Sequence, residues 1–204
     1  MRKSLILTLL IGLLFSQNLF ADSPLTSTPI SEAYAGLEIV QLASTAEGRL
    51  TVELMSYLNE SIHPIELKIA VINQLGWGNG FNNSSDFYEY LEDKYSFKDA
   101  NDFLDQASAD LLICMAYLQA MENYFDVDEP IIYANKAKSK RNESYTINII
   151  CALIEAQKAF DSDWCEVYNL TNNVRINQSL NVDMQQDAIN IIFEYMDLYR
   201  EYCE

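Results

Sequence analysis

The most apolar stretch of the chain lies near its middle. Every position from Leu111 to Leu118 is apolar, so this stretch has no polar face at helical spacing. A helix that is apolar on all sides is normally buried. The pattern therefore predicts a buried helix over residues 101–125, around which the other elements are arranged.

Apolar residues at steps of three and four predict further amphipathic helices on both sides of this segment. Pro64 and Pro130 suit the first turn of a helix, and Gly76 suits the position just after a helix end. No stretch shows the sustained alternation of a strand. We therefore expect an all-α protein of about eight helices packed as antiparallel hairpins, either a short α-solenoid or a helical bundle. Besides the central helix over residues 101–125, the expected helices cover residues 31–47, 49–59, 65–75, 84–95, 130–139, 144–160, 164–174 and 182–202.

Residues 1–21 have the layout of a secretory signal peptide. Arg2 and Lys3 precede an apolar run over residues 5–15, and a short polar break leads to Ala21. The run is shorter than the roughly 20 residues that span a bilayer. We therefore expect cleavage near Ala21, export to the periplasm or the extracellular space, and no membrane insertion once the signal is removed.

The rest of the chain has the length of one domain. Residues 22–30 carry two prolines and several Ser and Thr, which favours an extended lead-in. Residues 31–204 are then expected to form a single all-α domain, which is long enough for a sizeable core.

The chain is strongly acidic. It has 30 Asp and Glu against 13 Lys and Arg, a formal net charge of −17. Such a charge repels nucleic acid and anionic lipid, so neither is an expected partner. Simple solubility in a crowded or salty compartment explains the same charge equally well.

The four cysteines fall into two kinds of surroundings. Cys165 and Cys203 lie beside charged residues near the ends of expected elements, whereas Cys114 and Cys151 lie inside apolar runs. Because the expected compartment is oxidising, we predict a Cys165–Cys203 disulfide, with the other two as small core residues. There is no Cys-x-x-Cys and the single histidine, His63, is distant in sequence, so neither a metal site nor a cofactor is expected.

Two turns of the chain match each other. Residues 125–128 (FDVD) recur as residues 160–163 (FDSD), an offset of 160 − 125 = 35 residues. Each turn follows a long apolar helix and precedes a shorter, more polar one. A period in the middle thirties built from helical hairpins is typical of stacked α-repeats.

In length and layout, residues 110–176 resemble tetratricopeptide-like helical hairpin repeats, and residues 133–137 (YANKA) are similar to the second helix of that motif. The resemblance implies a binding scaffold whose concave side is lined by the first helix of each hairpin, and it implies no chemistry. The alternative is a plain helical bundle in which aromatic and acidic residues match by chance.

No residue is assigned a catalytic role. His63 would need a nucleophile held in a tight turn, but there is no Gly-x-Ser-x-Gly, and its neighbour Pro64 makes it a helix-start residue. A glycosidase needs two carboxylates across a cleft. Glu53 and Glu155 have the most suggestive surroundings, yet both fit the solvent side of amphipathic helices.

Two charged clusters have a functional and a structural interpretation. The acidic turns at residues 126–129 and 161–163 could supply oxygen ligands to calcium, but the twelve-residue calcium loop is absent and helix caps explain them more simply. The basic residues between Lys136 and Arg141 could bind an acidic partner, or could complement the dipole at a helix C-terminus.

The loop at residues 76–84 is the predicted binding surface. It holds three of the six glycines, which let backbone amides face a ligand, and its candidate binding residues are Trp77, Asn79, Phe81 and Asn82. Trp77 and Phe81 could stack on a sugar ring or anchor a protein partner. Alternatively, Trp77 folds back onto the helices as a plug.

These observations predict an exported, acidic, helical scaffold or protein-interaction module without catalytic activity. The expected partner is another protein, with a glycan as the second choice. One alternative is a small envelope hydrolase acting on glycans or cell-wall material, which a cleft with two close carboxylates, one of them buried, would favour. The other is a secreted effector or inhibitor. A concave groove lined by Tyr and Asn would favour the scaffold.

Overall fold

The computed structural model describes residues 22–203, and the predicted signal peptide lies outside them. Within this range the chain forms ten α-helices, two 3₁₀-helices and no strand, which confirms the predicted all-α class. A lone β-bridge joins Ser144 and Asn181. The α-helices are α1 Glu38–Thr45, α2 Val52–Asn59, α3 Ile65–Leu75, α4 Asn83–Tyr95, α5 Ala100–Gln106, α6 Ala109–Glu122, α7 Asp128–Lys140, α8 Tyr145–Ala159, α9 Trp164–Arg175 and α10 Gln186–Met196, and the 3₁₀-helices are Ile30–Tyr34 and Asp197–Cys203.

The helix predicted over residues 101–125 is two helices, α5 and α6. Ala107 is extended, and the side chain of Ser108 accepts a hydrogen bond from the Leu111 amide at 3.2 Å, so Ser108 caps a new helix. The expected burial of the apolar stretch is confirmed, because all residues from Leu111 to Leu118 are buried. The prediction of one continuous helix was therefore wrong, whereas the predicted position of its apolar stretch in the core is confirmed.

The first and last predicted helices are also shorter than expected. A 3₁₀-helix and α1 take the place of one helix over residues 31–47. The predicted helix over residues 182–202 begins only at Gln186 and becomes a 3₁₀-helix at Asp197. Its expected first turn is used instead for contacts with another part of the chain, which involve Asp183.

Residues 22–30 turn back onto the helices. The amides of Thr26 and Ser27 both donate to the Ser23 carbonyl, and the Leu25 and Ile30 side chains are buried. This segment therefore contributes to the core, although its two prolines suggested an extended lead-in.

The side chain of Asn73 in α3 ties this segment to α6. It accepts from the Ser31 amide at 2.9 Å, donates to the Thr28 carbonyl at 3.1 Å and donates to the Tyr117 hydroxyl at 2.9 Å. A buried amide with three partners fixes one arrangement of the groups around it.

Helices α6 to α9 pack as consecutive neighbours. α6 packs against α7, α7 against α8 and α8 against α9, and α6 also contacts α8. On its other side α6 contacts α3 and α4. The last helix, α10, packs against the first 3₁₀-helix, so the two ends of the described chain meet. No helix in residues 22–203 has both the length and the apolar character needed to cross a membrane.

A chain of charged groups joins the ends of several helices. Lys68 is 1% exposed, and its Nζ lies 3.5 Å from Asp110 Oδ2. Arg141 bridges Asp110 at 2.6 Å and Asp183 at 3.0 Å. Each of these four charged groups thus lies beside an opposite charge, as burial of ions requires.

Asp183 holds the segment before α10 against the start of α8. Its carboxylate accepts from the Ser144 hydroxyl at 2.6 Å and the Thr146 amide at 2.8 Å. Two residues earlier, the Asn181 carbonyl accepts from the Tyr145 amide at 3.0 Å. These bonds explain why the predicted helix cannot begin at Val182.

The second 3₁₀-helix is joined covalently to α9. Cys165 and Cys203 form a disulfide with a Cα–Cα distance of 4.7 Å. Cys114 and Cys151 are free and buried, and burial raises the pKa of each thiol to about 12. The last described turn of the chain is therefore anchored to the start of α9.

Candidate binding surface

The predicted binding loop at residues 76–84 folds back onto α6. Trp77 is half-buried, and its ring meets the Tyr124 ring edge-on, with the centroids 5.4 Å apart. The Gly78 amide donates to the Met121 carbonyl at 3.0 Å. Trp77 thus occupies the plug position that was the alternative to a ligand-binding role.

Asn79 joins this loop to the loop between α1 and α2. Its Nδ2 donates to the Gly48 carbonyl at 2.8 Å, and its Oδ1 accepts from the Phe81 amide at 3.1 Å. Gly48 has φ +87°, and a Cβ placed there would lie 3.0 Å from the Asn79 side chain. Phe81 and Asn82 are exposed. The four candidate residues therefore do not converge, since two face inward and two face solvent.

The carboxylate of Glu122 bonds Ser84, the last residue of this loop, at the start of a helix. It accepts from the Ser84 amide at 2.6 Å and from the Ser84 hydroxyl at 2.5 Å, at the start of α4. Burial raises the pKa of Glu122, while the bonds from Ser84 oppose that shift. Its two oxygens serve α4 and are not directed at a cleft.

His63 lies in an arrangement unsuited to nucleophilic catalysis. Its ring stacks on Tyr57 at 3.8 Å, and its Nε2 is 3.1 Å from Glu60 Oε2. The other oxygen of Glu60 accepts from the Ser56 hydroxyl at 3.1 Å. A serine nucleophile needs the histidine between the serine and the acid, whereas here the acid lies in the middle.

The two matching acidic turns meet at one end of the helices. They line a common cavity of about 240 Å³ together with the first described residues of the chain. The lining residues are Asp22, Ser23, Tyr124, Phe125, Asp126, Val127, Asp128, Gln157, Lys158, Phe160 and Asp161.

Local hydrogen bonds fix the segments around this cavity. In the turn before α7, the Asp128 amide donates to Asp126 Oδ1 at 3.3 Å. Asp163 caps α9 by accepting from the Glu166 amide at 3.0 Å. The chain from Asp22 is held because the Leu25 amide donates to Gln157 Oε1 at 3.3 Å. Asp163 therefore caps α9, as the sequence indicated, whereas Asp126 closes the turn before α7 and lines the cavity together with Asp128.

The cavity is acidic and has an exposed aromatic rim. Asp22, Asp126, Asp128 and Asp161 line it, and Lys158 is the cation among its lining residues. Lys158 Nζ lies 2.6 Å from Asp128 Oδ1, so this pair is neutral and three carboxylates are left. The ring of Phe125 is 82% exposed. Such a surface suits a cation that also makes contact with an aromatic face.

A second aromatic surface adjoins the cavity. Trp164 and Tyr202 are 43% and 47% exposed, and their rings meet edge-on at 4.6 Å. Asp161 lines both the cavity and the depression beside this pair. We call the surface formed by Phe125, Asp126, Asp161, Trp164 and Tyr202 the acidic aromatic end. Each residue of this aromatic pair directly precedes one cysteine of the Cys165–Cys203 disulfide in the sequence.

The basic residues from Lys136 to Arg141 do not form a free patch. Lys136 pairs with Asp105 at 2.8 Å, and Lys140 Nζ donates to the carbonyls of Asp105 and Ala107, both at 2.7 Å. Lys136 and Lys140 thus secure the end of α5. Lys138 and Lys140 also lie in the last turn of α7, where the helix-end interpretation expected cations.

Sequence reasoning missed the acidic aromatic end as a surface. The repeated Phe-Asp-x-Asp turns were the signal, because equivalent turns of stacked hairpins lie on the same side. Across residues 22–203, no group of three or more His, Cys, Asp or Glu side chains is arranged to hold a metal ion. Comparison of the chain with protein-family models, with curated proteins and with solved structures found no match in any of the three.

Proposed function

We propose that this protein is an exported, non-catalytic helical scaffold that binds a basic segment of a partner protein at the acidic aromatic end. The observation that carries the proposal is that both Phe-Asp-x-Asp turns line one cavity, where, among the described residues, the Lys158–Asp128 pair leaves Asp126 and Asp161 without a cationic side chain. A Lys or Arg side chain would supply that cation.

The aromatic rim favours arginine over a simple cation. A guanidinium stacks on aromatic faces and forms paired hydrogen bonds with carboxylates. Phe125 and Trp164 supply exposed rings, and Asp126 and Asp161 supply carboxylates within the same surface. The net charge of −17 would also speed the approach of a basic partner.

The scaffold would be built on two stacked hairpins of the tetratricopeptide-like kind over residues 110–176. The contacts among α6 to α9 support this arrangement. The first helix of each hairpin, α6 or α8, packs against the second helix of its own hairpin, α7 or α9, and α6 also packs against α8. Such stacking brings both acidic turns to the same end. A crystal structure in which α8 crosses α6 nearly at right angles would contradict it.

The proposal is tested by fluorescence polarisation of a labelled tetra-arginine peptide in about 50 mM salt, where surface charges are weakly screened. Asp126→Asn with Asp161→Asn should weaken binding about tenfold. Glu92→Gln with Asp93→Asn removes the same charge from the exposed side of α4 and should change binding less than twofold. Phe125→Ala, which leaves the charge unchanged, should weaken binding about threefold.

Equal losses of binding in the two double variants would mean that only net charge matters, and would refute a defined site.

The envelope hydrolase is the alternative proposal. It needs a buried carboxylate facing a cleft, but the half-buried Glu122 already accepts two bonds from Ser84. Turnover of a cell-wall glycan by the purified protein would favour the hydrolase.

A further inference from the structure

A second concave surface lies between the end of α9 and the outer side of α10. It is a cleft of about 510 Å³, within the usual range of small-ligand pockets. It shares no lining residue with the acidic cavity. The lining residues are Tyr145, Arg175, Val182, Gln186, Ile189, Asn190, Phe193, Glu194 and Asp197.

One residue that lines this cleft carries a polar group without a partner among the described residues. Tyr145 is 4% exposed, and its buried hydroxyl makes no hydrogen bond within residues 22–203. Burial raises the pKa of Tyr145 to about 12, so the hydroxyl keeps its proton at neutral pH. An unpaired buried hydroxyl is costly in the free protein, and an acceptor supplied by a ligand would remove that cost.

Arg175 makes the cleft unsuitable for an anion. Its guanidinium pairs with both oxygens of Asp197, at 3.0 and 2.9 Å, and its Nε donates to Asn172 at 3.1 Å. The group also lies over the Phe193 ring at 4.2 Å. The cation is thus neutralised and geometrically committed, and Glu194 adds a negative charge to the lining.

The same contact argues against a sugar. Sugar rings stack on open aromatic faces, but Arg175 covers Phe193, which is only 7% exposed. The exposed apolar surface is instead aliphatic and is formed by Val182, which is 62% exposed. Beside it lie the amides of Gln186 and Asn190, which bond each other at 2.9 Å and are exposed.

We propose that this cleft binds a short neutral peptide segment, whose aliphatic side chain packs on Val182 and whose backbone carbonyl accepts a hydrogen bond from the Tyr145 hydroxyl. The amides of Gln186 and Asn190 would bond the neighbouring peptide groups. Because the hydroxyl is covered in the free protein, binding requires a rim side chain to rotate. Val182 is 62% exposed and Gln186 is exposed, so the rim can adjust.

The test is an NMR titration of the protein from residue 22 onward with N-acetyl-leucine methylamide at up to about 20 mM. We expect amide shifts confined to Tyr145 and residues 182–197. Tyr145→Phe should weaken binding about three- to tenfold, the worth of one hydrogen bond, without lowering the melting temperature.

Tyr117→Phe is the matched control, because the Tyr117 hydroxyl is bonded to Asn73 and lies away from the cleft. It should lower the melting temperature and leave peptide binding unchanged. Equal binding by Tyr145→Phe would overturn the proposal. The absence of amide shifts in the cleft would also overturn it, as would shifts caused by methyl glucoside or N-acetyl-aspartate methylamide instead. A dimer detected by light scattering, with α10 in its interface, would likewise overturn it.

Discussion

Replacing Cys165 and Cys203 together by serine should lower the free energy of unfolding by about 4 kcal/mol. The two residues are 38 positions apart. In the chain-entropy model, closing a loop of that length removes about 13 cal/mol/K from the unfolded state, which gives about 4 kcal/mol at 25 °C. The second 3₁₀-helix also contacts α9 and α10, and the side chain of Tyr199 is buried there, so we expect these native contacts to persist in the double variant.

The measurement is urea unfolding followed by circular dichroism, with and without a reductant. The reductant should shift the midpoint of the wild-type protein to that of the double variant, and should not shift the double variant itself. Mass spectrometry of an unreduced digest provides an independent check. Recovery of Cys165 and Cys203 as free thiols, or equal unfolding midpoints for both proteins, would refute the reasoning.

Three further changes test other parts of the structure. Asp183→Ala should cost about 3 kcal/mol in urea unfolding, because it removes one of the two carboxylates that Arg141 bridges and leaves the Ser144 hydroxyl and the Thr146 amide without their acceptor. Trp77→Ala should cost about 2 kcal/mol by cavity formation, yet leave tetra-arginine binding unchanged; weakened binding with intact stability would show the loop to be the site. Burial raises the pKa of Glu122 above 4.5, so its contribution to stability is present at low pH and is lost as pH rises through the raised value. Glu122→Gln should remove that decline in the urea midpoint, and an unaltered pH profile would contradict the assignment.

The core was predictable because its signal is local. The stretch from Leu111 to Leu118 has no polar position, and burial is the usual outcome for such a helix. Ser108 could also have been recognised as a cap, since Asp110 follows in the first turn. The apolar pattern on both sides of it made one helix the simpler interpretation, which was wrong.

Other features depend on contacts that no local pattern reveals. The local pattern places Asp183 in a helix. In the structure its carboxylate accepts hydrogen bonds from Ser144 and Thr146, which lie nearly forty positions earlier in the chain. Trp77 looked available for a ligand because its partner Tyr124 lies in another part of the chain. The acidic turns were identified as a repeat, but their convergence follows only from how α6 and α8 lie side by side.

The bonds that hold the first described residues have a consequence for how the chain folds as it is made. The Leu25 amide donates to the side chain of Gln157, which is 132 positions later in the chain. The Ala33 carbonyl accepts from the side chain of Gln185, which is 152 positions later. A chain that emerges from its amino end exposes this segment first and its partners nearly last. Folding should therefore start in the hairpins of α6 to α9, whose contacts are close in sequence, and the amino-terminal segment should dock in the final step.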